Sequence, residues 1–326
     1  MKKYFILLFI SFLFIENCII AQSKDSLIKV SDGVYEITGF LGNISFLVTD
    51  DGVILIDVGN SPQAGKRTME YIASITSKPL KYVIITHYHF DHVGGLGELP
   101  VTAQIIGQKN GIKNLKNGED FRRYEFEKKL PHEIDSLKQL KDKFKTMGSR
   151  ELVKIDSILK AKENKLTSLK NEKTIYPSIL VDSLKTIVLG KDTIELYYPG
   201  KAHTDGDLVV YFKNRNIMAL GDLLFNHSYP YMDPLGDAAN WSLQLQRYAK
   251  FNAKIYIPGH FGLAHKDDLL LLSNYLTELR NEVIKLKKAG KPLNEIKSTV
   301  NLTQYKDFEL SFLREMNIEE VYNQLK

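Results

Sequence analysis

Cysteine is almost missing from this chain: Cys18 is the only one in 326 residues, and it falls inside an apolar leader. Without cysteine beyond that point there is no disulfide framework and no thiolate nucleophile. Every metal site that needs sulfur is excluded as well. Tryptophan is nearly as scarce, with Trp241 alone, and no aromatic platforms are interleaved with basic residues. A nucleic-acid partner is therefore not expected. Long hydrophobic runs are also lacking. The longest, "YFILLFISFLFI" near the start, is short of the roughly 20 residues that span a bilayer.

That run follows Lys2 and Lys3 and leads into "ENCIIAQS". A basic start, a short apolar stretch and a small residue describe a secretory signal peptide over residues 1–21, cut after Ala21, with an uncleaved anchor as the alternative reading. The expectation is an exported protein, periplasmic or secreted, without membrane attachment once the signal is removed. The net charge of +5 is concentrated in one place. Between Lys109 and Lys173 there are eighteen bases against eleven acids, as on a solvated helical surface.

Residues 22–326 read as one α/β domain. "GVYEITGF", "NISFLVTD" and "GVILIDVG" are three short strands separated by Gly and Asp turns. "SPQAGKRTMEYIASITSK" opens with Ser61 as a cap and Pro62 at the first helical position. "LKYVIIT" is apolar throughout, as in a strand buried on both faces, and "VTAQIIG" is a further strand. From about 109 to 176 the sequence turns to Lys, Glu, Leu and Asn at helical spacing, with Gly148 as a break, and is expected to be a helical insertion. Strand patterns resume with "LKTIVLG", "DTIELYYPG", "DLVVYFK", "NIMALGD" and "AKIYIPGH". Helices close the chain from about 266 to 326, serving as ordinary cover or as a homodimer surface.

What is abundant is histidine at one spot. "THYHFDHVGG" holds His87, His89, Asp91 and His92 directly after a buried strand. Imidazole nitrogen and carboxylate oxygen are the usual ligands of zinc when thiolate is absent. Such closely spaced side chains reach one point more readily from a loop than from a helix, where residues two apart do not share a face. His203 in "GKAHTDGD", Asp222 in "MALGDLLF" and His260 in "IYIPGHFG" each stand where a strand ends and a glycine-containing loop begins. Strand ends converge on one edge of a sheet, which is where α/β folds place their sites.

With these four segments in this order, the sequence resembles the metallo-β-lactamase superfamily. The resemblance runs to about His265 and implies an αββα sandwich with its metal site at the sheet edge. It also implies that His87, His89 and His203 hold one zinc ion, that Asp91, His92 and His260 hold a second, and that Asp222 bridges them. A water shared by two cations ionises near neutral pH, giving a bridging hydroxide nucleophile, with Asp91 as the residue that orients it and passes a proton. The implied activity is hydrolysis of an ester, lactone, thioester or amide-type bond in a small molecule. One β-lactamase subclass has cysteine where Asp222 stands and lacks a histidine at the position of His92. Another has the histidine pattern without the bridging aspartate. Asp222 instead makes the site similar to the dinuclear centre of glyoxalase II and the lactonases. Activity on β-lactams and an iron-dependent redox reaction on the same fold remain the alternatives.

"NHSYPYMDP" after Asp222 offers His227, Tyr229 and Tyr231 as substrate contacts, although the tyrosines beside Pro230 would serve equally well as loop packing. Tyr88 faces either the site or the core. His132 and His265 read as surface residues, and Trp241 as core. The insertion is either a lid whose lysines favour an anionic substrate or an inert hairpin.

Overall fold

Four short strands open the described chain: β1 (Ser26–Ser31), β2 (Val34–Thr38), β3 (Ile44–Val48) and β4 (Val53–Ile56). They pair antiparallel in chain order, as tight turns allow. A parallel neighbour needs a crossover, and helix Pro62–Ile75 supplies it, with the Ser61 hydroxyl accepting from Ala64 N–H at 3.2 Å. It returns the chain to β5 (Leu80–Ile84), which lies parallel to β4, and β6 (Gln104–Gln108) and β7 (Ile179–Val181) continue that sense. The computed structural model describes residues 25–144, 149–171 and 174–325. The expected signal peptide with Cys18, and the break at Gly148, lie outside the described residues.

A second sheet has the order β12-β11-β10-β9-β8. Its strands are β8 (Leu184–Leu189), β9 (Asp192–Tyr197), β10 (Val209–Phe212), β11 (Ile217–Phe225) and β12 (Ile255–His260). Only β11 and β12 are parallel, joined through helix Ala238–Tyr248, which starts at an Asp237 cap four residues before Trp241. The sheets face each other across one apolar layer, with Val34, Leu47, Ile54 and Ile84 meeting Leu196, Val210, Ala219 and Ile257. Helix Pro62–Ile75 covers the first sheet's outer face through Ile72. Trp241, Leu245, Leu272 and Tyr275, from helices Ala238–Tyr248 and Lys266–Lys288, cover the second. These are the layers of an αββα sandwich, completed by helices Leu293–Thr299 and Leu313–Gln324. Among the described residues no helix is long and apolar enough to cross a membrane.

Two strands have no counterpart in the sequence reading. β1 is an edge strand with no fully buried residue, and β7 has three residues, so neither shows an alternating apolar pattern. The segment between β6 and β7 holds helices Gly111–Tyr124, Leu130–Phe144 and Ser149–Asn171. The last two pair along a seam of Leu130, Ile134, Ile155 and Leu159. Lys138, Lys141 and Lys162 meet Glu163, Asp156 and Glu133 across it. These three lysines answer acids of the opposite helix, a use the lid reading had not assigned to them.

One inner-face residue does not fit the layer. Glu36 on β2 is wholly buried, opposite Ile28 and Ser45 on the flanking strands, and among the described residues neither carboxylate oxygen has a hydrogen-bond partner. Burial raises its pKa from 4.5 to about 7. Below pH 4.5 both folded and unfolded chains hold the proton; between 4.5 and about 7 the unfolded chain ionises first, so stability falls as pH rises. Glu36→Leu should remove this slope and add about 3 kcal/mol of stability at pH 8 relative to pH 4. Urea melts at the two pH values measure it, and equal pH dependence in both proteins would count against a lone buried carboxyl.

Candidate metal centre

Both sheets deliver a parallel pair of strands to the same edge, and the polar side chains at those ends face one another. Asp57 follows β4 with a φ of +57° and accepts from Thr86 N–H at 2.8 Å and Thr86 Oγ1–H at 2.6 Å. That fixes the start of the histidine segment just beyond β5. His87 precedes any helix and His89 has extended backbone, whereas Asp91 and His92 sit on a one-turn helix, Phe90–Val93. The expected plain loop is thus half helical, because the turn brings His92 back beneath Asp57. Across the gap, Asp222 lies within β11 rather than after it, at a register shift against β12. His260 is the last residue of β12. Gly259 must lack a side chain, since a Cβ there would stand 1.9 Å from Asp222 Oδ1.

Two groups of ligand-type atoms result, each within 4.8 Å: His87, His89, His203 and Asp222 in one, Asp91, His92 and His260 in the other. His89 Nδ1 lies 2.9 Å from His87 Nε2 and 3.1 Å from His203 Nε2. Asp222 stands between the groups. Its Oδ2 is 3.6 Å from His87 Nε2, 3.5 Å from His203 Nε2 and 3.3 Å from His260 Nε2, while Oδ1 is 3.0 Å from His92 Nε2. Asp91 Oδ2 lies 3.4 Å from His260 Nε2 and 3.7 Å from His92 Nε2.

The donor set fits a pair of cations on two further observations. His92 Nε2 and Asp222 Oδ1 are buried and face each other at 3.0 Å without a hydrogen-bond partner of proper geometry among the described residues, as two donor atoms turned toward one ion would be. The nitrogens that face away from the centre are all engaged where the structure shows them. His87 Nδ1 meets Thr86 Oγ1 at 3.1 Å, His89 Nε2 meets Asp233 at 2.9 Å, His92 Nδ1 meets Asp57 at 2.8 Å, and His203 Nδ1 meets the Tyr231 carbonyl at 3.0 Å. Holding the outer nitrogen sets the tautomer and aims the inner lone pair.

The electrostatics of the protein alone divide the histidines into two kinds. Burial drives His203 down to about 3 and His87 well below its ordinary value, so both are neutral with a lone pair to give. Burial opposes charge at His92 and His260 too, but the Asp222 and Asp91 carboxylates outweigh it, lifting His260 to about 9 and His92 well above its usual range. Burial would also protonate Asp222; His260, His92 and His87 hold it well below the ordinary carboxylate range.

The sequence model of the metallo-β-lactamase superfamily matches residues 37–260. The chain belongs to that superfamily. It is similar to a metallo-β-lactamase type 2 of Bacillus cereus, 24% identical over 220 residues that make up 66% of this chain and 64% of that protein. It is similar to another from Elizabethkingia meningoseptica, 25% identical over 249 residues, 74% of this chain and 78% of the other. The match thus spans just under two thirds of the Bacillus protein's length. In fold it is similar to a sec-alkylsulfatase from Pseudomonas sp., with a TM-score of 0.65 at 16% identity, covering 92% of this chain and 50% of that one.

In this superfamily member all seven residues singled out as metal ligands meet at one place, and the substrate candidates divide. The Tyr231 ring is 5.5 Å from that of His89 and 6.2 Å from that of His203, at the centre's border. Tyr229 is a correction: it is buried, donates its hydroxyl to the Tyr305 carbonyl at 2.8 Å and packs on Tyr275 and Phe308. His227 is another, because it stands largely exposed and is turned to Asp268, 2.9 Å away. Both were drawn to the C-terminal helices by the pairing of Ser228 with Glu309. Tyr88 faces the site: its ring lies 4.8 Å from that of His89 and its hydroxyl donates to Asp233 at 2.5 Å. Trp241 is core, its indole N–H bonded to the Leu223 carbonyl.

Sequence reasoning missed Asp57 and Asp233. "LIDVG" shows the same aspartate after an apolar strand that singled out Asp222, so Asp57 was findable; Asp233 sits in an irregular loop and had no such signal. Asp57→Ala should weaken retention of one metal ion about 10- to 100-fold while the other stays bound. A chelator titration followed by elemental analysis reads this, and unchanged retention of both ions would contradict the orienting role.

Proposed function

We propose that this chain is an exported dinuclear zinc hydrolase that cleaves an ester, lactone, thioester or amide-type bond in a small molecule. The observation that carries the reading is Asp222, a buried carboxylate within 3.0 to 3.6 Å of four imidazole nitrogens from two ligand groups. Zinc is favoured by an all nitrogen and oxygen donor set without sulfur. Two such ions, when bound, bring a shared water near ionisation at neutral pH and polarise a carbonyl or phosphoryl oxygen.

The chain's own residues do the rest. Asp222 keeps negative charge between the two positions, offsetting the repulsion of neighbouring cations. Asp91 belongs to the second ligand group, where its carboxylate accepts a proton from the attacking water and returns it to the leaving group. His87 and His203, held neutral by burial, contribute lone pairs without competing for that proton. Tyr231 borders the same space, and burial keeps its phenol protonated. Export rests on the basic and apolar leader, and the periplasm or the medium is the expected location.

The two curated relatives bear β-lactamase names, which keeps β-lactams among the substrates to be tried. Elemental analysis of the purified protein, with lactam, lactone, ester, thioester and phosphodiester substrates, tests the whole reading. Two zinc ions per chain and hydrolysis of at least one class are expected. Asp222→Ala should lose metal and at least a hundredfold in kcat/KM together. A single iron with no hydrolysis would replace the proposal with the redox reading, and full activity of Asp222→Ala with two metals retained would end its bridging role.

A further inference from the structure

One loop serves two ligands of the first group. Between β11 and helix Ala238–Tyr248 the chain runs through residues 226–237 without helix or strand. From this stretch the Tyr231 carbonyl meets His203 Nδ1 at 3.0 Å, and the Asp233 carboxylate meets His89 Nε2 at 2.9 Å. Asp233 in turn accepts from the Leu235 N–H at 2.7 Å and from the Tyr88 hydroxyl. In the second group the outer nitrogen of His92 is held elsewhere, by Asp57. The aim of His89 and His203 is therefore only as good as the hold on this one loop.

Much of that hold comes from the far end of the chain. Near the loop's start, Tyr229 N–H donates to the Glu309 carbonyl at 3.1 Å and Glu309 N–H to the His227 carbonyl at 3.0 Å. The buried Tyr229 hydroxyl donates to the Tyr305 carbonyl at 2.8 Å. At the loop's end, Ala238 N–H donates to Gln324 Oε1 at 3.0 Å, on the last residue of helix Leu313–Gln324. Asn226 and Asp237 also bond to the carbonyls of Gly262 and Ala202, on neighbouring loops; the C-terminal grips instead join the loop to the helical cover. Tyr305, Glu309 and Gln324 all lie beyond residue 260, where the superfamily match stops. The backbone adds a second observation. His227 with a φ of +52° and Leu310 with +53° flank the pairing of Ser228 with Glu309. A leucine enters that left-handed region only where surrounding contacts impose it.

We propose that the segment from Tyr305 to Gln324 is a clamp for half of the metal centre. In it Tyr229 and Gln324 are positioning residues that set the affinity of the His87, His89 and His203 position and leave that of Asp91, His92 and His260 unchanged. The clamp rests on the two-ion reading above and on no particular substrate.

The Tyr229→Phe/Gln324→Ala double variant removes both side-chain grips and keeps the Tyr229 ring in its packing. In the zinc-loaded protein, a chelator titration with elemental analysis should show one ion released about tenfold more readily, as when an outer partner of a ligand is lost, and the other retained as in the parent. In the metal-free protein, hydrogen exchange of amides 226–237 should quicken by about tenfold or more. Combined variants assign the position. Adding Asp233→Ala to the double variant should cost less than the separate effects together, since both act on His89, whereas adding Asp57→Ala should loosen the second ion as well. Val283→Ala, in the same helical cover but making none of these bonds, should lower the melting temperature and keep both ions. Unchanged affinity in the double variant, equal weakening of both ions, or the same loss in Val283→Ala would overturn the clamp. A parent protein that takes up one ion would instead strike the two-ion reading; faster loop exchange with a weaker hold on that ion in the double variant would leave the clamp standing.

Discussion

A carboxylate buried among imidazoles organises this protein. Asp222 is taken out of water at the centre of a two-layered sandwich, an expense that only neighbouring positive charge can offset. His87, His92, His203 and His260 surround it from three separate stretches of chain. Each of those stretches must be delivered to within ångströms, so the carboxylate sets a tolerance that the whole sandwich has to meet. Divalent cations between these groups would satisfy both the carboxylate and the lone pairs aimed at it.

The fold meets that tolerance by repeating one device. In each sheet a parallel pair of strands, joined by a helical crossover, brings its ends to the same edge: β4 with β5, and β11 with β12. The two edges are then tied directly. Leu208 N–H donates to the Thr86 carbonyl at 2.7 Å, and Asn43 N–H to that of Gly259 at the same distance. These backbone links hold ligand loops from opposite sheets in register, so the centre does not rely on side-chain packing alone.

Around the ligands lies a shell of residues that hold no metal-facing atom and still decide the geometry. Asp57 fixes both the entrance to the histidine segment and the outer nitrogen of His92. Asp233 holds His89 and takes a second bond from Tyr88. Glu36, by contrast, is a buried carboxyl that the site does not use; its position on the inner face of β2 costs stability as pH rises.

Much of this was legible in the linear chain. Apolar strands, the Ser61–Pro62 helix start and the histidine segment are local patterns, set by side-chain chemistry at fixed spacing. The seven metal-type ligands could be chosen because they lie in or beside apolar runs, in four segments whose order resembles that of the superfamily. The bare edge strand β1 and the three-residue β7 left no pattern because neighbouring strands, not their own residues, hold them in place. Tyr229 and His227 were misjudged for a related reason: closeness to Asp222 in sequence said nothing of the C-terminal helices that draw them away. Which nitrogen of each histidine faces inward and which aspartate orients it depend on residues far apart in the chain. Local chemistry therefore determined the set of ligands, and tertiary packing alone decided their aim, because a lone pair is directed only by what grips the other side of its ring.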